Sequence, residues 1–139
     1  MNVFFDFNQV LKKSIAEPGF IDHPLLSGSF INQQLIEWSQ KHNNKYFIWS
    51  ASDPKVLQLI KEKFNPLFSS VISSQETGLR KNEVSSFAQV EKLINALPQD
   101  CLLIDDQLEN TQTAQAAGWQ AIHFTSTTKC LRQLGIILA

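Results

Sequence analysis

Apolar residues in this chain come in short runs that end on polar side chains. Val3-Phe4-Phe5, Tyr46-Phe47-Ile48-Trp49 and Cys101-Leu102-Leu103-Ile104 are unbroken apolar stretches. Runs of this length, rich in β-branched and aromatic residues, read as strands buried on both faces. Phe68 to Ile72 reads as a shorter strand and Trp119 to Phe124 as a fifth. Between them the spacing becomes helical. Leu35, Ile36 and Trp38 mark one helix, ending near Asn43-Asn44, and Val56, Ile60 and Phe64 mark a second, opened by Asp53-Pro54 as N-cap and first turn. Asn82 is placed to cap a third, whose buried side would carry Phe87, Val90, Ile94 and Leu97. An Ala-rich helix from about Leu108 to Ala117 stops at Gly118, and Thr128 to Leu134 reads as a last helix. Strands alternating with helices at this spacing predict βαβ units and a parallel sheet covered on both sides, an α/β fold. The stretch 12–32 is broken by Pro18, Gly19, Pro24 and Gly28 and reads as mostly loop, with at most a helical turn. A loop this long in a compact domain is uncommon and often functional. No repeat or linker divides the 139 residues, so one domain is expected over 1–139.

Composition narrows the partners. Hydrophobic residues make up 43% and charged residues 18%, with a net charge of -1. That balance gives no support for nucleic acid or an anionic membrane as a partner. No basic region precedes the N-terminal apolar stretch, which Asp6 interrupts, so a signal peptide is not expected. No apolar run reaches the length of a membrane span. Cys101 and Cys130 stand alone, outside any metal-type spacing. Two isolated cysteines suit a reducing, cytoplasmic setting.

The chemistry lies where the strands end. The first strand ends in Asp6, with Asn8 after it; the second ends in Ser50; Lys81 precedes the fourth, which ends in Asp105-Asp106, with Asn110 a helical turn on. A carboxylate inside a buried strand is costly, so Asp6 belongs at the strand's carboxyl end. In a parallel sheet these ends share one edge, where such folds bind ligands. The set offers a carboxylate free to attack, an acidic pair for a hard cation, and a hydroxyl with an ammonium for an anion. Mg²⁺ takes oxygen ligands, Lys and hydroxyl groups hold phosphoryl oxygens, and an Asp nucleophile splits hydrolysis into two steps. Singly, each residue has a plainer reading: Ser50 as a turn residue, Lys81 beside Arg80 as a solvated face, Asp105-Asp106 as helix N-terminal carboxylates.

Together they resemble the haloacid dehalogenase-like (HAD) superfamily. Asp6-Phe7-Asn8-Gln9-Val10-Leu11 is similar to its first motif, Phe47 to Ser52 to its second, Gly78-Leu79-Arg80-Lys81 to its third, and Leu103 to Asn110 followed by Ala114 to Gly118 to its fourth. The resemblance implies a Rossmann-like, three-layer α/β/α fold with a five-stranded parallel sheet of order 5-4-1-2-3, Mg²⁺, and phosphatase activity through an aspartyl-phosphate. It implies Asp6 as nucleophile and metal ligand, the Asn8 carbonyl as a second ligand, and Asp106 as a third with Asp105 close by. Ser50 and the adjacent Ala51 would bind the phosphoryl group, Lys81 would neutralise it, and Asn110 would support the loop. The expected substrate is a phosphorylated small molecule or macromolecule.

Two features depart from the family pattern. The family's second Asp, its general acid and base, is Asn8 here. A carboxamide cannot shuttle a proton, and loss of such a group costs ~10²–10⁴ in rate. The stretch 12–32 is also too short for the helical cap domain of many relatives, so it should form a flap over an open site, with a second subunit or a partner as any further lid. His23 in that flap reads as an exposed loop histidine, with supply of the missing proton as the alternative. Lys12 and Lys13 read as a solvated pair. Two functions follow: a slow or specialised Mg²⁺-dependent phosphohydrolase, or a catalytically impaired relative that binds phosphate and Mg²⁺ or a protein partner. A receiver-type phosphoacceptor is rejected, because its acidic pair belongs at the first strand.

Overall fold

The computed structural model describes residues 1–22 and 28–139; His23 lies outside the described residues. The first strand, β1 (Asn2–Phe5), is followed by three short strands, β2 (Lys12–Lys13), β3 (Phe20–Asp22) and β4 (Phe30–Asn32). Then come α1 (Gln33–Lys41), β5 (Lys45–Ser50), α2 (Pro54–Lys63), β6 (Phe68–Ser73), a single turn α3 (Ser74–Thr77) and α4 (Val84–Ile94). The chain closes with β7 (Cys101–Asp105), α5 (Leu108–Ala116), β8 (Gln120–His123) and α6 (Thr127–Ile137). The main sheet is parallel with order β6-β5-β1-β7-β8. Numbering only these five strands along the chain, that is 5-4-1-2-3 read from the β8 edge.

Pleating sends neighbouring side chains of each strand to opposite faces. Val3, Phe5, Tyr46, Ile48, Leu102 and Ile104 therefore form one core with Leu35 and Ile36 of α1, Leu57 and Ile60 of α2, and Cys130 and Leu134 of α6. Phe4, Phe47, Trp49 and Leu103 form the other with Phe87 and Val90 of α4 and Ala114 of α5. The result is three layers, α/β/α. The second core is aromatic at its centre: Phe4 stacks on Phe47 at 4.6 Å, and Phe87 meets Trp49 and Trp119 edge-on, each at 4.9 Å. No helix among the described residues is long and apolar enough to cross a membrane.

Three local expectations are corrected. The stretch 12–32 shows no helical turn among its described residues, and its loops are joined by strands: β2, β4 and β3 pair antiparallel as a small second sheet, with Lys12 opposite Ile31 and Ile21 also opposite Ile31 on the other side. Asn82 does not cap α4; Glu83 holds the N-cap position, without a side-chain cap bond, because the chain just before it is committed to carrying Lys81 inward. Leu97 is 57% exposed, since Asn95 in the left-handed region (φ 54°) ends α4 and turns the chain off the buried face. Asp53, by contrast, caps α2 by accepting the Lys55 N–H at 2.9 Å.

Asn32 ties the small sheet to the body. It is fully buried, its Nδ2 donates to the Val10 carbonyl (3.0 Å) and to Thr127 Oγ1 (2.9 Å), and its Oδ1 accepts the Leu35 N–H to cap α1. Asn32→Ala removes a cap and strands a buried carbonyl, so unfolding free energy measured in urea should fall by about 2–4 kcal/mol. A loss below about 0.5 kcal/mol, the range of an ordinary surface change, would show that these bonds do not anchor the segment.

Candidate active site

The parallel sheet brings the polar strand ends to one edge. Asp6 follows β1 directly, and its N–H continues the ladder to the Ile104 carbonyl of β7 at 2.9 Å. The chain then turns sharply. The Phe7 carbonyl accepts the N–H groups of Leu11 and Lys12, both at 3.0 Å, and Gln9 lies in the left-handed region at φ 68°. Ser50 ends β5 and Asp105 ends β7. Lys81 arrives from the segment between α3 and α4, where Gly78 (φ 73°) closes α3 and the Arg80 N–H is held by Ser86 Oγ at 2.9 Å.

Lys81 is the centre of the cluster. Its ammonium is buried and lies 2.9 Å from Asp6 Oδ1, 2.8 Å from Asp105 Oδ2 and 2.9 Å from the Trp49 carbonyl. Trp49 grips the same segment twice, since its indole N–H donates to the Leu79 carbonyl at 3.3 Å. Asp105 is wholly buried, accepting the Gln107 N–H on Oδ1 (2.9 Å) and Asn110 Nδ2 on Oδ2 (3.2 Å). One oxygen each of Asp6, Asp105 and Asp106 can be drawn within 4.8 Å of one another. Three carboxylates thus share one ammonium. Burial pushes Asp6 up to about 7; Lys81 pulls it down and Asp105 pushes it up. An all-oxygen donor set short of positive charge suits a hard divalent cation such as Mg²⁺.

The serines form a second group. Ser50 is buried; its Oγ accepts the Ser52 N–H (3.1 Å) and donates to Ser52 Oγ (3.0 Å). Asn8 Nδ2 donates to the same Ser52 Oγ at 2.8 Å, and Lys12 Nζ donates to Asn8 Oδ1 at 3.5 Å. These contacts join the turn after β1 to the turn after β5. Around all of this lies a cleft of about 500 Å³ lined by Asp6, Asn8, Ser50, Ala51, Lys81, Asp106 and Asn110. Gln9, Gln75, Arg80, Asn82, Gln107 and Glu109 line it as well, so Ala51 is its one hydrophobic lining residue among those described. The Ala51 carbonyl accepts Gln75 Nε2 at 2.8 Å.

Every residue singled out at the strand ends thus comes to this edge. Asp105 sits beneath the cleft floor, bonded to Lys81, rather than on its wall. Sequence reasoning missed Ser52, Trp49 and Gln75. Ser52 carried a faint signal, a second hydroxyl two residues past a strand-end serine; Trp49 carried none, because a buried strand tryptophan reads as core.

No protein-family model matches the chain. Solved structures do. A predicted HAD-like family hydrolase of Porphyromonas gingivalis superposes with a TM-score of 0.72 at 17% identity, covering 99% of this chain and 97% of that one. The fold is therefore that of haloacid dehalogenase-like (HAD) hydrolases. A HAD family enzyme of Bacteroides thetaiotaomicron, in complex with magnesium and inorganic phosphate, superposes with a TM-score of 0.70 at 13% identity, covering 91% of this chain and 94% of that one. A sesquiterpene phosphatase of Aspergillus oryzae is 37% identical over 71 residues, 49% of this chain and 36% of the relative. The chain therefore spans about a third of that relative's length.

Two outcomes are expected. In metal-free buffer, the neutral Asp6 carboxyl is favoured by the fold, so its contribution to stability is present below its ordinary value of 3.8 and is lost as pH rises through about 7. Urea denaturation of the native protein against Asp6→Asn should show the native protein losing ground from about pH 4 to 7; a difference flat across that window would mean Asp6 is ionised throughout. Second, Mg²⁺ should raise the melting temperature, and Asp106→Ala should abolish that rise. A rise unchanged by Asp106→Ala would place the ion elsewhere.

Proposed function

We propose that this HAD-like protein is a Mg²⁺-dependent phosphohydrolase that works through an aspartyl-phosphate on Asp6. The observation that carries the reading is the Lys81 ammonium buried between Asp6 and Asp105, beside Ser50, at the carboxyl edge of a parallel sheet. The likeness to a fold relative in complex with magnesium and phosphate supports it, as does the similarity to a sesquiterpene phosphatase. Mg²⁺ would be held by Asp6, Asp106 and the Asn8 carbonyl, with Asp105 alongside. When bound, it supplies positive charge to the phosphoryl oxygens.

Lys81 fixes the direction of the Asp6 carboxylate through Oδ1. An Asp6 oxygen bonds to phosphorus, and the bond to the leaving oxygen breaks with its electron pair. Ser50, Ser52 and Lys81 hold the phosphoryl group in transit. Water then bonds to phosphorus, the Asp6–phosphorus bond breaks back to the carboxylate, and the water proton leaves with phosphate or to solvent. Asn8 can donate hydrogen bonds in both steps but can carry a proton in neither, so the enzyme is slow or specialised. The open cleft receives its substrate without a cap domain, in whose place the chain carries the small sheet β2-β4-β3. Both cysteines are free and buried, consistent with a cytoplasmic setting.

A second reading, a phosphate-binding or protein-interaction module without turnover, is favoured by Asn8 itself. Its amide is fixed as a donor to Ser52, the opposite sense from a carboxylate.

The two readings part on one pair of measurements. With acetyl phosphate and Mg²⁺, mass spectrometry should show phosphate accumulating on Asp6, because the leaving group needs little protonation while the second step lacks a base. Asn8→Asp should raise steady-state turnover ~10²-fold or more, and Asp6→Asn should abolish it. No adduct, together with an inert Asn8→Asp across a broad substrate panel, would decide for the binding module.

A further inference from the structure

The site retains everything that handles the transferred phosphoryl group and lacks the acid that serves the leaving group. Beside the gap stand cations. Lys12 is rooted there by the backbone: the Gln9 N–H donates to the Lys12 carbonyl at 2.7 Å, and Asn8 and Lys12 form an isolated bridge. Its neighbour Lys13, on the opposite face of β2, is already engaged with Glu17 at 2.8 Å and the Phe20 ring at 5.2 Å. Lys12 instead aims its ammonium at Asn8 Oδ1. Register with Ile31 holds it in place, at the margin of the cleft that Asn8 lines. Arg80 lines the cleft as well, exposed, and its guanidinium enters no ion pair among the described residues. Glu109 lines the cleft on α5 and is the one acidic lining residue outside the candidate metal set.

We infer that the substrate is a phosphoanhydride, whose departing part is itself an anion held by Lys12 and Arg80. The inference rests on the phosphohydrolase reading and specifies its substrate class. A phosphate monoester of an alcohol releases an alkoxide, which must be protonated, and here nothing at position 8 can do that. An anhydride breaks its phosphorus–oxygen bond with the electron pair going to a phosphate or diphosphate oxygen. That group is stable without a proton and carries charge for two cations to recognise. The side chains that line the cleft fit the same class, polar or charged at every described position but Ala51.

The test compares inorganic pyrophosphate, ATP and ADP with glycerol phosphate and a hexose phosphate, at equal Mg²⁺. Pyrophosphate and the nucleotides separate a bare anhydride from one needing a nucleoside. Native kcat/KM on at least one anhydride should exceed that on both monoesters by ~10²-fold or more. Lys12→Gln and Arg80→Gln should each lower the anhydride-to-monoester ratio about tenfold through KM, the loss of one charge-assisted hydrogen bond. Lys12→Arg, which keeps the charge, should restore most of it. Asn8→Asp should improve the monoesters more than the anhydrides. Monoesters turned over as well as anhydrides, or ratios unmoved in both charge variants with melting temperatures matched to native, would overturn the inference. Formation of phospho-Asp6 from acetyl phosphate tells the failures apart. With the adduct present, only the substrate class is wrong; with no adduct and no turnover of anything, the phosphohydrolase reading falls too, and this inference with it.

Discussion

A buried ammonium between two carboxylates sets the terms for the rest of this molecule. Asp105 has no access to solvent, and a lone carboxylate there would be strongly destabilising. Lys81 reaches it only because the segment after α3 is steered inward, with Gly78 turning it, Trp49 holding Leu79, and Ser86 taking the Arg80 N–H. The same ammonium bonds Asp6 and the Trp49 carbonyl. Three strands, β1, β5 and β7, are therefore fastened at their ends through one side chain. The aromatic core beneath supports the arrangement from one face of the sheet: Trp49, Phe87 and Trp119 pack mutually, and Trp49 is at once core and clamp.

How much of this could be read along the chain follows from what each element depends on. The three central strands, β1, β5 and β7, were legible because burial on both faces demands unbroken apolar runs, and such runs have few other uses. The edge strands β6 and β8 are part-exposed and were legible from shorter apolar stretches between helices. Asp6, Ser50 and Asp106 were legible because parallel topology brings strand ends together, and Lys81 because Gly78 to Lys81 resembles a family motif. The small sheet was not. Its strands are two and three residues long and begin with Lys12-Lys13, and they exist through pairing rather than through any pattern of their own. The start of α4 was misread for a related reason: Asn82 has a good capping side chain, but the demand that Lys81 face inward outweighs a local preference worth about 1 kcal/mol. Ser52 escaped notice because its role is defined only by Asn8 and Ser50, which tertiary structure brings to it.

The two halves of the cleft differ in kind. Toward the sheet, charges are buried, paired and held by backbone groups. Toward solvent, the lining is mostly amide, with the Arg80 guanidinium and the Glu109 carboxylate, all exposed or half-buried. Such a division separates a fixed chemical floor from a rim that can vary in what it recognises. Asn8 sits on the border between them, its backbone in the tight turn and its side chain exposed, so a change there can alter the chemistry without disturbing the floor.

The segment carrying the small sheet leaves and rejoins the body at almost one point. The Asn32 N–H donates to the Leu11 carbonyl at 2.8 Å, so the excursion is zipped at its base. Below that junction, the register of β1 and the cap of α1 are fixed by bonds that do not involve the excursion's tip. Material inserted between Leu11 and Asn32 would lengthen a closed loop, at an entropic cost that grows only slowly with length. The junction is therefore a natural splice point: evolution or a protein engineer could exchange the small sheet for a larger insert while leaving the machinery of the main sheet unchanged.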